Sequence, residues 1–174
     1  MSNEIKHTDP FFEGFAKVQF DDNSFGFINK NGNIIAKGFK YAYSFNEGFA
    51  KVQFNDYSWG FINKNGKITS KGFKYADSFN KGFARVQFND NSIGFINKDG
   101  KITSKGFKNA YSFYEGFAKV QFNDDSYGFI NKGFKLYEQD KKTLIKNNDP
   151  RTKGIIVFNL NKKINKLLTI PYGE

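Results

Sequence analysis

EGFAKVQF at residues 13–20 returns as EGFAKVQF at 47–54, as KGFARVQF at 81–88 and as EGFAKVQF at 115–122. The glycines of the four copies, Gly14, Gly48, Gly82 and Gly116, stand at a constant interval of 34 residues. Self-similarity at a period of roughly 20–50 residues marks a solenoid, a propeller or another stacked array. Function in such a chain is a question about a ladder of equivalent surfaces rather than about one pocket.

Around this segment each unit continues with an N-D-x-S-like turn, an aromatic residue or Ile followed by GFINK, a second turn in NGKITSK style, and GFKYAYSF leading into the next copy. Apolar runs of 5–7 residues between Asn/Asp/Gly clusters read as strands and hairpins, and no stretch carries a helical stripe. Asp22, Asp56, Asp90 and Asp124 each precede a serine by two residues, which suits side-chain capping of a turn. Asn31-Gly32 and Asn65-Gly66, with Asp99-Gly100 as the acidic equivalent, are expected to form two-residue type I′ hairpins. Gly26, Gly60, Gly94 and Gly128 open the second strand after Phe25, Trp59, Ile93 and Tyr127. A glycine in that position implies a bulge or a close backbone approach by the neighbouring unit or an aromatic ring, with the bulky residue before it packed between units.

These residues resemble the WG-repeat (KWG-repeat) proteins of bacteria, whose units run approximately F-x-E-G-L-A-x-V and then W-G-Y-I-D. Glu13 to Val18, Glu47 to Val52 and Glu115 to Val120 match the first half, and Trp59-Gly60-Phe61-Ile62-Asn63 matches the second most fully. The resemblance covers residues 11 to about 132, with Phe25, Ile93 and Tyr127 in place of the tryptophan. It implies a β-rich repeat fold and no shared catalytic site.

The expected architecture is therefore all-β: four ~34-residue units of three short antiparallel strands, stacked as a solenoid or rolled sheet, with a four-bladed propeller as the alternative. The expected organisation is an N-terminal arm at 1–10, the repeats at 11–132, and a linker with a C-terminal β-hairpin cap at 133–174. That hairpin is read from the apolar runs Gly154 to Leu160 and Ile164 to Ile170.

Composition narrows the chemistry. The only histidine, His7, lies in the expected arm and there is no cysteine, so the usual metal sites and nucleophilic triads cannot be assembled. The carboxylate pairs Asp21-Asp22 and Asp124-Asp125 fall in expected turns, where exposure predicts ordinary acidities. No enzyme activity, cofactor, metal or small-molecule substrate is expected. No run is long and apolar enough to span a membrane, and MSNEIKHTDP does not read as a signal peptide, so a cytoplasmic location without membrane association is expected.

The net charge of +10 falls in columns. Lys17, Lys51, Arg85 and Lys119 recur in the first strand and Lys30, Lys64, Lys98 and Lys132 at the second turn, with further columns at Lys37, Lys71 and Lys105 and at Lys40, Lys74 and Lys108. Like charges stacked opposite one another are destabilising, so the columns ask for a reason. Two readings compete. A cationic and aromatic face can track a phosphate backbone, whereas duplication and AT-rich codon usage copy lysines onto a solvated face without selecting each one.

The candidate partner-binding residues are Phe15, Lys17, Phe49, Lys51, Trp59, Phe83, Arg85, Phe117 and Lys119. The expected function is a non-catalytic binding protein that engages RNA, single-stranded DNA or a nucleic-acid-handling protein complex, as an inhibitor in the manner of anti-CRISPR proteins. The alternatives are a protein–protein scaffold or effector, and a glycan or cell-wall binder.

Overall fold

The computed structural model describes residues 4–133 and 136–138, and these form four small antiparallel sheets. The first holds β1 (Ile5–Thr8), β2 (Phe15–Phe20), β3 (Phe25–Asn29) and β4 (Ile34–Phe39). The second holds β5 (Tyr41–Ala42), β6 (Phe49–Gln53), β7 (Trp59–Asn63) and β8 (Ile68–Phe73). The third holds β9 (Tyr75–Ala76), β10 (Phe83–Gln87), β11 (Ile93–Asn97) and β12 (Ile102–Phe107). The fourth holds β13 (Asn109–Ala110), β14 (Phe117–Gln121), β15 (Tyr127–Asn131) and β16 (Leu136–Glu138).

The all-β repeat array holds, but each unit has four strands in simple meander order, the form of a propeller blade. The additional strand lies in two places that read otherwise in sequence. Ile5–Thr8, read as an arm, pairs with β2, and the Tyr-Ala dipeptide of GFKYAYSF, read as a connecting loop, pairs with the next unit's long strand. At the other end Leu136–Glu138, read as linker, pairs with β15 and completes the fourth sheet. The expected hairpin cap falls outside the described residues.

Turn chemistry decides the register. Glu13 (φ 49°) and Gly14 (φ 91°) both occupy the left-handed region, and Phe12 and Phe15 exchange backbone hydrogen bonds of 2.8 and 3.0 Å across them. The two-residue primed turn therefore sits at Glu-Gly, not at Asn31-Gly32. At the latter only Gly32 has positive φ; its N–H bonds the Asn29 carbonyl, while the Asn29 N–H bonds that of Asn33. This is a three-residue loop, a type I turn closed by a left-handed residue. The Asn29 side chain satisfies it by accepting from the N–H groups of Asn31 and Asn33.

In each unit's first long strand one face is fully buried, as alternation requires: Ala16, Val18 and Phe20 in β2, Ala50 and Val52 in β6, Ala84 and Val86 in β10, and Ala118 and Val120 in β14. The main cores lie between sheets. Phe27 and Phe39 of the first sheet join Ala42, Phe45, Val52, Phe54 and Ile62 of the second, with ring pairs Phe27–Phe45 at 5.0 Å and Phe39–Phe54 at 5.8 Å. The same pairs recur one unit on as Phe61–Phe79 at 4.8 Å and Phe73–Phe88 at 5.8 Å. Each buried ring is worth about 1.5–3 kcal/mol, so every unit is stabilised chiefly by its neighbours.

Gly60 shows why the second strand opens on glycine. A Cβ there would collide with the Ser70 carbonyl oxygen and come within 2.9 Å of the Phe54 ring. The crowding comes from the unit's own bulged β8 and its own phenylalanine, not from the neighbouring unit. Trp59 before it packs on the core of the third unit, as expected.

Candidate interaction surface

Lys17, Lys51, Arg85 and Lys119 hold the same register position on β2, β6, β10 and β14. The carbonyl of each accepts a 2.9 Å bond from the N–H of the residue beside it: Asp9, Tyr43, Asp77 and Tyr111 respectively. The partner thus alternates between acid and tyrosine, which gives the array a second period of two units. The cations divide accordingly. Lys17 Nζ lies 3.0 Å from an Asp9 carboxylate oxygen, and Arg85 Nε donates to Asp77 at 2.6 Å while its Nη1 donates to the Ala110 carbonyl of the next unit at 2.9 Å. Lys119 instead stands over the Tyr127 ring at 4.4 Å and the Tyr111 ring at 5.9 Å.

Lys51 is the extreme case. The residue is only 6% exposed, and its ammonium lies 3.8 Å from the Tyr43 ring centroid, 5.0 Å from Trp59 and 5.4 Å from Tyr75. Among the described residues this ammonium makes no hydrogen bond and no ion pair. Burial pushes its pKa down, and the Asp77 charge nearby opposes that only in part. Rings that stabilise a cation through their faces make the burial tolerable.

Around this lysine the aromatics join into a row that crosses three units. Phe25 to Tyr41 is 5.2 Å between centroids, Tyr41 to Tyr43 5.3 Å, Tyr43 to Trp59 6.0 Å and Trp59 to Tyr75 6.3 Å. Tyr41, Tyr43 and Tyr75 remain over 40% exposed, while Phe25 and Trp59 are half-buried beneath. Asp77 interrupts the tyrosines where the third unit begins.

The sequence-derived candidates therefore separate. Lys51 and Trp59 come together in this row, with Lys17 at 5.7 Å from Phe25 at its edge. Phe15, Phe49 and Phe83 are half-buried against Phe45, Phe79 and Phe113 of the following units, at 4.7, 4.7 and 5.0 Å, and hold the array together. Phe117 occupies the corresponding half-buried place on β14. Tyr41, Tyr43, Tyr75, Asp9 and Asp77 are absent from the sequence-derived set. Their signal was available: tyrosine, buried alanine, tyrosine at 41–43 is a period-two strand pattern.

The other cation columns also find partners. Lys37, Lys71 and Lys105 pair with Asp22, Asp56 and Asp90 at 3.1, 2.8 and 2.7 Å, and Lys64 and Lys98 with Glu13 and Glu47 of the preceding units at 3.2 Å each. Acidic columns interleave with the basic ones, which is the reason like charges can stack. It also corrects the expectation of ordinary turn acidities. Hydrogen bonds from the Ser24 hydroxyl and N–H, aided by Lys37, hold Asp22 at about 2, and Lys71 with Ser58 and Lys105 with Ser92 do the same for Asp56 and Asp90.

The chain belongs to the WG containing repeat family, which it matches over residues 25–57, 59–91 and 93–124, more than half its length. A comparison with curated proteins returns no match. Among solved structures it is similar to BamB from Moraxella catarrhalis, at 10% identity over 75% of this chain and 42% of that one, with a TM-score of 0.40. It is likewise similar to the WD40 β-propeller domain of Doa1, at 11% identity over 75% of this chain and 52% of that one, with a TM-score of 0.38. The chain thus spans about half the length of these structures or less.

Proposed function

We propose that this chain is a non-catalytic protein-interaction module that engages a partner protein through the tyrosine and tryptophan row of its first three units. The observation that carries this reading is the exposure of Tyr41, Tyr43 and Tyr75 around a half-buried Trp59, with Tyr41 and Tyr75 on the edge strands β5 and β9. Tyrosine, tryptophan and arginine dominate the energetically decisive positions of protein interfaces, because they bring large contact area with few rotatable bonds. A protein partner is favoured over RNA or single-stranded DNA because many of the cations that would follow a phosphate backbone, Lys17, Lys37, Lys71, Arg85 and Lys105 among them, are engaged with carboxylates of the array itself. Releasing them would forfeit those pairs.

The test is affinity purification from the native cell, with and without nuclease, using the natural chain and a Tyr41→Ser/Tyr75→Ser variant. A protein partner that survives nuclease and is lost with the variant supports the reading. Partners retained by the variant, or released by nuclease, overturn it.

A further inference from the structure

Within the repeat, the chemistry that a first-strand cation requires is written twice. Lys17 and Arg85 each hold a carboxylate from the neighbouring short strand or loop, at 3.0 and 2.6 Å. In the second unit that position is Tyr43, and Lys51 is left more than nine-tenths buried with aromatic faces on three of its neighbours and no acceptor. A cation on a largely buried side chain, with no carboxylate beside it, is only partly compensated by aromatic faces. The oxygen that the first and third units provide internally is missing here, at the centre of the exposed tyrosine row.

We propose that Lys51, ringed by Tyr43, Trp59 and Tyr75, is a recognition point for a carboxylate side chain of an acidic partner segment. This rests on the interaction reading above and names the partner's chemistry. An aspartate or glutamate reaching Lys51 past the tyrosines supplies the carboxylate oxygen that Asp9 and Asp77 give the equivalent cations, while its flanking residues lie on the exposed rings. Net charge supplies complementarity, since a chain of +10 attracts an acidic segment before any contact forms. An acidic peptide is preferred to a nucleic acid because the internal precedent is a carboxylate.

The experiment titrates a fluorescein-labelled oligoglutamate peptide into the full chain and follows anisotropy. Lys51→Met is expected to weaken binding about tenfold or more. Lys67→Met, which removes the same charge from the exposed second turn, is expected to leave it within about twofold. Tyr43→Asp gives Lys51 the internal acid that the first and third units carry and is expected to abolish binding while the thermal melt stays cooperative, so a folding failure of one variant leaves the other informative. Equal losses for Lys51→Met and Lys67→Met, no binding by the natural chain, or tighter Lys51-dependent binding of a labelled oligouridine than of oligoglutamate each overturn the proposal. If Lys51→Met changes nothing while Tyr41→Ser/Tyr75→Ser still loses the native partner, this inference falls and the interaction module stands; if that tyrosine variant keeps its partner, the interaction reading falls first.

Discussion

The carboxylate of Glu13, in the turn that opens the first unit's long strand, accepts a 2.8 Å hydrogen bond from the Gly48 N–H in the equivalent turn of the second unit. Glu47 repeats the contact one unit on, accepting from the N–H groups of Lys81 and Gly82 at 2.5 and 2.8 Å. Burial pushes both carboxyls up in pKa, but these N–H groups and the lysines Lys64 and Lys98 outweigh it and hold them below the ordinary value. The turns are thereby latched in series. Both glutamates sit at positive φ, which costs a non-glycine residue roughly 1–2 kcal/mol, so the latch has to return more than the backbone spends.

Replacing Glu47 by alanine keeps the backbone cost and removes the latch. Two charge-assisted hydrogen bonds and a partly exposed ion pair are lost, and the two donors open to water. The expected destabilisation is about 2 kcal/mol in urea unfolding, with a smaller loss for Glu47→Gly because glycine relieves the turn. Equal stability of the alanine variant and the natural chain would remove the latch from the account.

At the third turn the residue is Lys81 (φ 54°), whose ammonium lies 5.3 Å from the Tyr114 ring and offers no carboxylate to the fourth unit. Lys81→Glu restores the acid opposite the equivalent turn glycine, Gly116, and the equivalent lysine, Lys132. The expected gain is about 0.5–1 kcal/mol, seen as a higher melting temperature. A variant that melts lower than the natural chain would show that the third interface is built differently from the first two.

Much of this was legible from residue spacing. Burial of Ala16, Val18 and Phe20 follows from two-residue alternation, which holds whatever the strand packs against. The fourth strand was hidden because a two-residue segment such as Tyr41–Ala42 is too short to display a period. Asn31-Gly32 misled for a different reason: the dipeptide suits a primed turn, but Lys30 joined the loop and left only Gly32 with a positive φ. The primed turn fell instead to Glu13-Gly14, where a side-chain contact with another unit, invisible in local propensity, stabilises it. The cation columns were read correctly as columns and incompletely as charges, since the alternating Asp9, Tyr43, Asp77 and Tyr111 gain meaning only once the sheet register sets them beside Lys17, Lys51, Arg85 and Lys119.

The hydroxyls of Ser70 and Ser104 are buried without a hydrogen-bond partner, while the first unit carries Ala36 at the same position. An unpaired buried hydroxyl costs about 1–3 kcal/mol, and alanine fits the backbone already built for it. Ser70→Ala and Ser104→Ala are each expected to raise stability by up to about 1 kcal/mol, additively because the sites lie in different units. Chemical denaturation of the single and double variants checks this, and destabilisation by either would mean that its hydroxyl is satisfied in solution.

Acid should weaken the array through its first-turn aspartates. Asp22, Asp56 and Asp90 have an ordinary value of 3.8 and are held at about 2 in the folded chain. A depressed folded value means that the folded form binds fewer protons than the unfolded one on the way down in pH. The contribution of these groups is therefore complete above about pH 4 and is lost as the pH falls towards 2. Removing the capping hydroxyls with Ser24→Ala, Ser58→Ala and Ser92→Ala moves the folded values back towards 3.8, so the triple variant should be less stable at neutral pH and lose less of its stability between pH 4 and 2. Parallel stability curves for the two proteins across that window would show that the turns do not contribute to acid sensitivity.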